Sequence, residues 1–303
     1  MQGCPYSSAL YAHTLTHIGE VTLLGESDEA FLVRTLPNQE AGADLIAPYP
    51  FAQIRDADAL SRAFTDTSGC ASATAVLEPL SAPGEQDRRR LFPDHLARFK
   101  EHTIVDLSAD LDALRASGHR RKVRKAHGSL RVERAEEPNR HAIEWIELYC
   151  HLREAKGFRG SLADFTGEAL AAQLGLSGVR YYRAMAGERC VAGAVWFDGP
   201  GATYYHLGAS HPEGRAHSAS FGLFDAALRD AQAEGRRWAN LGGGAGLAQD
   251  PQDGLARFKQ GWSREKGWSY VGGRILDRSL FDELNRAAGP VREGVFPPYR
   301  FPL

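Results

Sequence analysis

What the chain does not contain narrows its function first. Its four cysteines, Cys4, Cys70, Cys150 and Cys190, are scattered without a CxxC pair, which excludes a zinc knuckle and a dense disulfide framework and leaves reduced thiols as the expectation. His13 and His17 stand i, i+4, but no HExxH motif or third ligand accompanies them, so no metal site is expected. No apolar run approaches the ~18 to 20 residues needed to span a bilayer. The opening MQGCPYSSALYAH has no basic stretch followed by an apolar one, and a cytoplasmic protein with no membrane span is expected. Charge of one sign is also lacking: the formal net charge of -2 argues against coating nucleic acid by bulk electrostatics, though a local basic patch can still grip one phosphate-rich ligand. The run GGGAG has neither a Walker lysine-serine nor a GxGxxG spacing, so no P-loop or dinucleotide site is read there.

What is present describes an α+β chain. With 303 residues, 43% of them hydrophobic and 24% charged, it exceeds the usual single-domain size and can bury a sizeable core, so two lobes are expected, 1–100 and 101–303. In the first, EVTLLGE, EAFLVRTL, LIAPYPFAQI and SATAVLEPL read as short β segments, and SAPGEQDRRR as a surface connection. The second opens with a helix that Ser108 can cap, carrying Leu111 and Leu114 and turning strongly basic. Residues 141–156 form a helix with Ile143, Ile146 and Cys150 on one face and Gly157 as C-cap. The period then changes to that of strands: VRYYRAM, CVAGAVWF and TYYHLGA, joined by AGER and DGPG, make an antiparallel meander. A helix striped by Phe221, Phe224, Leu228 and Ala231 ends at Gly235, and the strand RWANL, a glycine-rich loop, a helix capped by Asp253 and the strand WSYVGGRIL follow.

Within DGLARFKQGW, Leu255, Phe258 and Trp262 fall at i, i+3 and i+7, one apolar helical face with Lys259 on its edge. On residue type alone such a lysine snorkels to water. Arg120, Arg121, Lys122, Arg124 and Lys125 crowd one helix, with like charges at i, i+4; they suit an anionic partner or make a solvated face.

Four stretches carry a resemblance to the GNAT acyltransferase fold, and more particularly to the Fem-type branch of aminoacyltransferases: RRKVRKAHGSLRV, GERCVAGAVWF, YYHLGASHPEGRAHSASFGLFDAAL and NLGGGAGLAQDPQDGLARFKQGW. The last is the most specific, a glycine-rich loop followed by an Asp-Gly helix containing Phe-Lys. The resemblance covers roughly residues 100–276. It implies two GNAT-like lobes, the second a complete mixed sheet with splayed strands and the first short and irregular. It also implies an N-acyltransferase that moves an aminoacyl group from aminoacyl-tRNA to an amine of a peptidoglycan precursor or peptide-like metabolite. Rivals are an acyl-coenzyme A-dependent enzyme on the same scaffold and a silent ligand-binding module. No permanently bound cofactor and no metal are implied.

The resemblance assigns residues as follows. The donor lies between TYYHLGA and RWANL. Its phosphates meet Arg215, Ser218 and Ser220, the two serines standing where coenzyme A-dependent members carry glycines, with Asn240, Gly242 and Gly243 completing the donor site. Lys259 neutralises donor phosphate and stabilises charge developing in the transfer, and Phe258 orients it, stacks on the donor or merely packs. His206 is the candidate base, with a core histidine as its plain alternative, and Asp106 is a weaker one. The basic patch of Arg120, Arg121, Arg124 and Lys125 holds a phosphorylated acceptor or a tRNA end. In IAPYPF, Tyr49 marks the acceptor loop, although this sequence lacks the glycine of the family's pattern.

Overall fold

A computed structural model describes residues 4–37, 42–157, 161–244 and 253–303. The chain divides into two compact units, one of residues 6–99 with 268–303, the other of residues 100–267 together with Cys4 and Pro5. Residues 268–303 were expected with the second lobe and belong to the first instead, because their strand pairs along that unit's sheet.

In the 6–99 unit, β1 (Glu20–Leu24), β2 (Glu29–Thr35) and β4 (Cys70–Leu77) match three of the short β segments read from the sequence, whereas β3 (Ala43–Ile46) takes only Leu45 and Ile46 of LIAPYPFAQI, the rest of which is not a strand. β5 (His95–Asp106) then carries the chain into the 100–267 unit. There follow β6 (Arg131–Arg134), the meander β7 (Val179–Ala186), β8 (Arg189–Gly199) and β9 (Ala202–Ser210), then β10 (Trp238–Asn240) and finally β11 (Lys266–Ile275), which returns to the 6–99 unit. That unit orders its strands β1-β2-β3-β4-β11, with Tyr270 to Ile275 antiparallel to Leu77 to Ser72. The helix Ala57–Asp66 covers it, capped by Asp56, whose carboxylate accepts from the Asp58 and Ala59 amides, and burying Leu60 and Phe64. SAPGEQDRRR is not a plain connection: Glu85–Leu91 is helical, its acidic residues at the first turn and its arginines at the last, as the helix dipole favours.

The 100–267 unit orders its strands β5-β10-β9-β8-β7-β6, antiparallel except for β9 beside β10. The helix Ala219–Ala233 lays Leu223, Phe224, Ala227, Leu228 and Ala231 into the core with Tyr182, Trp196 and Trp262. Two local readings are corrected. Asp110, not Ser108, caps Leu111–Leu114, since its carboxylate reaches the Asp112 and Ala113 amides. The helix Ala142–Lys156 does end at Gly157, at φ +66, but it buries Trp145, Leu148 and Tyr149 while Ile143 is 76% exposed. Both stripes are apolar, and the larger aromatic area faces inward.

Candidate functional site

The parallel pair β9 and β10 is short. Trp238 to Asn240 pair with Ala202 to Tyr204, after which β9 runs on to Ser210 against β8 alone. Beyond Asn240 the chain follows β5 instead: Leu241 donates its amide to the Thr103 carbonyl, and Thr103 donates to the Gly242 carbonyl. The two strands therefore diverge, leaving Tyr205 of β9 on one side and the turn 241–244 on the other.

Lys259 enters this divergence. Its helix, Gly254–Gln260, starts at Asp253, whose carboxylate accepts the Leu255 amide. The ammonium nitrogen donates to the Gly243 carbonyl at 2.6 Å and lies 5.2 Å from the centre of the Tyr205 ring. Lys259 is 5% exposed, against 37% for Leu255 on the supposedly apolar face. Burial, reinforced by the nearby charge of Lys100 and partly offset by Asp253, lowers its pKa to about 7. A lysine that exchanges its proton at neutrality in an opening of a sheet is a chemical group, not a solvated tail.

The turn is shaped to receive it. Asn240, buried, accepts both the Gly242 amide at 2.8 Å and His102 at 3.0 Å. Because the amide oxygen is the acceptor in both, His102 carries its proton on Nδ1. Burial and the Lys259 charge push the His102 pKa down to about 3, so its ring stays neutral. Gly242 sits at φ +76, and a Cβ there would stand 3.1 Å from the Lys259 nitrogen. Gly242→Ala therefore combines left-handed strain of about 1 to 2 kcal/mol with displacement of the ammonium. The expected result is a folded protein with a modest fall in Tm and, on the acyltransferase activity that the sequence resemblance implies, a large loss of turnover, checked by thermal melts beside an activity assay.

The helix of Lys259 is clamped by aromatic rings. His119 donates from Nε2 to the Phe258 carbonyl at 2.7 Å, and its ring occupies the space a Cβ on Gly261 would fill. Phe258 contacts Phe221 and Phe224 edge-on, each at 4.8 Å. It is thus a packing residue that fixes the helix presenting Lys259.

With this geometry in place, the comparisons are direct. Residues 113–260 match the family described as acetyltransferase (GNAT) domain. The solved structure of FemX has a TM-score of 0.64 at 14% identity, covering 91% of this chain and 93% of its own. The C-terminal domain of a putative lysylphosphatidylglycerol synthetase from Agrobacterium fabrum gives 0.66 at 14%, covering 97% and 94%. L-PGS from Bacillus licheniformis gives 0.56 at 15%, covering 92% and 95%. Residues 113–260 thus match a GNAT domain, and the fold is similar to that of FemX. No curated protein matches it.

Of the residues expected in the site of this GNAT domain, Lys259, Asn240, Gly242 and Gly243 are brought together. His206 is not. Register slips by one residue between Val195 and Trp196, so that His206 falls in a bulge between Tyr205 and Leu207, stacked on Phe197 at 4.2 Å and 3.2 Å from the Gln173 amide oxygen. Burial drives its pKa to about 3; it is a core histidine and not a base. Asp106 pairs with Trp238 at the opposite end of the strands and is bound to Ser108 and Arg237.

The basic helix Ser117–Ser129 is split in use. Arg120 donates to the Asp112 and Arg115 carbonyls, and Arg121 and Arg124 are exposed. Lys125 reaches the Ala216 carbonyl at 2.7 Å, and Lys122 lies 4.7 Å from the Phe221 ring, so both cations border the start of the helix Ala219–Ala233. Arg215 is exposed there and donates to the Ser210 carbonyl. Ser218 stands at the N-cap position with φ 62 and caps nothing with its side chain, and the Ser220 hydroxyl is 3.2 Å from that of Ser210. Tyr49 belongs to the other unit, where its carbonyl accepts from the Tyr11 hydroxyl and burial raises its pKa. Past Gly244 the glycine-rich loop lies outside the described residues. Among those described, no cluster of His, Cys, Asp or Glu can hold a metal, and no helix is long and apolar enough to cross a membrane.

Sequence reading missed Lys100 and His102, because β5 was not recognised as a strand. The signal was their i, i+2 spacing, which puts both side chains on one face of a strand.

Proposed function

We propose that this protein is an N-acyltransferase that moves an aminoacyl group from aminoacyl-tRNA to an amine of a peptidoglycan precursor or peptide-like metabolite. The observation that carries it is the buried Lys259 ammonium on the Gly243 carbonyl, set between strands that part beyond Tyr204 and Asn240. Attack of a neutral amine on an ester builds negative charge on the carbonyl oxygen, and a cation in a dry opening stabilises that charge more than water does. The cations Lys122, Lys125 and Arg215 around the start of a 15-residue helix suit the phosphates of the donor. Serines at 218 and 220, in place of glycines, leave less room for the close approach of a pyrophosphate and favour the tRNA ester over coenzyme A. The similarity in fold to a protein named as a putative lysylphosphatidylglycerol synthetase supports an aminoacyl cargo.

The test is incubation with radiolabelled aminoacyl-tRNA or acyl-coenzyme A and a panel of amines, with and without prior ribonuclease. A labelled amide that depends on intact tRNA is expected. An amide formed from the thioester and indifferent to ribonuclease overturns the donor, and binding without product from either donor makes this a silent module.

A further inference from the structure

Lys259 does not stand alone in its opening. Lys100, on β5, donates to the Gly244 carbonyl at 2.8 Å, the next carbonyl along from the one held by Lys259. The stem of Lys100 fills the space against Gly243, where a Cβ would come within 3.0 Å of its own Cβ. Two ammonium groups are thus fastened to successive oxygens of one tight turn, and the turn is held by the Asn240 bridge to His102 and the Gly242 amide. The groups bearing on Lys259 are Lys100 and His102 from β5, Asp253 from the cap of its own helix and Tyr205 from β9.

Like charges so placed are costly unless something is gained. His102 is neutral, and Asp253 offsets only part of the repulsion. Such an arrangement lets one of the two lysines give up its proton readily, and Lys259 is the more deeply buried. Neither His206 nor Asp106 is placed to take the proton that amide formation releases.

We propose that Lys100 is a positioning residue whose charge, fixed one carbonyl away, makes Lys259 the proton carrier of the transfer. This rests on the acyltransferase reading above. In the step, the amine nitrogen bonds to the acyl carbon, and neutral Lys259 takes the proton from that nitrogen. The resulting cation faces the oxyanion. Collapse breaks the bond from the acyl carbon to the ester oxygen, and Lys259 returns the proton to the departing hydroxyl, so atoms and charge balance without an added reagent.

The test separates this from the function itself. Chains labelled with 13C and 15N at lysine are titrated by NMR on the side-chain Cε and Nζ signals, with Lys259→Met assigning the resonance. Lys259 in the unsubstituted chain is expected to titrate near neutrality. In Lys100→Gln, which retains a donor for the Gly244 carbonyl but no charge, the midpoint moves upward by on the order of one pH unit; in Lys100→Arg it stays near neutrality. The pH profile of amide formation in Lys100→Gln shifts with it. A Lys259 midpoint near the ordinary lysine value in the unsubstituted chain, or one unmoved by Lys100→Gln, overturns the proposal. If the midpoints behave as expected but no donor yields an amide, the coupling stands and the function assigned to it falls.

Discussion

Lys259→Met is expected to lower turnover on the order of 100 to 1,000-fold while leaving the fold more stable to urea at neutral pH and below. The two effects share one cause, since the ammonium is buried where it is useful and not where it is comfortable. The pH dependence follows from the same burial. The folded pKa is about 7 against an ordinary 10.5, so between these values the unfolded chain holds a proton at Lys259 that the folded chain does not. Stability from this group therefore rises with pH across that window, and the full penalty is felt below it. Lys259→Met removes the slope: its advantage over the unsubstituted chain is greatest at about pH 6 and narrows by about pH 9. Unfolding curves at both pH values check this, and an advantage that does not change with pH would show that Lys259 is not carried neutral in the folded protein.

Trp262→Ala is expected to cost about 3 to 5 kcal/mol, the largest stability effect among these substitutions. Trp262 is 1% exposed, stacked on Phe224 at 5.7 Å, edge-on to His119 at 5.3 Å, and covered by the Arg115 guanidinium at 5.1 Å. Removing it opens a cavity beneath the helix Gly254–Gln260 and frees the ring cluster that sets the direction of Lys259. Denaturant unfolding should show the loss, and residual activity at low temperature should fall as well, because the clamp and the site share these rings. A variant with native stability would mean that the cluster repacks around the gap.

Much of the 100–267 unit is legible in the residues. The alternation in VRYYRAM, CVAGAVWF and TYYHLGA, with short polar turns between, leaves a meander as the simple solution, and β7, β8 and β9 follow it. The stripe Phe221, Phe224, Leu228 and Ala231 lies in the helix Ala219–Ala233, and Asp253 caps the helix of Lys259. What was misread shares a pattern. In Ala142–Lys156 two apolar stripes compete, and local period cannot choose between Ile143 and Trp145. On β9 neighbouring residues face opposite ways, so whether Tyr205 or His206 meets the site depends on register and on a one-residue slip opposite Val195 and Trp196.

By itself the sequence determined the meander, the helix that follows it and the capped helix of Lys259, together with the residue types available for chemistry, because periodicity, caps and glycines act within a few residues of one another. Only the tertiary structure decided that the Lys259 ammonium lies inward on the Gly243 carbonyl, that Lys100 shares its turn and that His206 is excluded. Each of those outcomes depends on which strand pairs with which, and on the desolvation that pairing imposes, quantities that no local run of residues encodes.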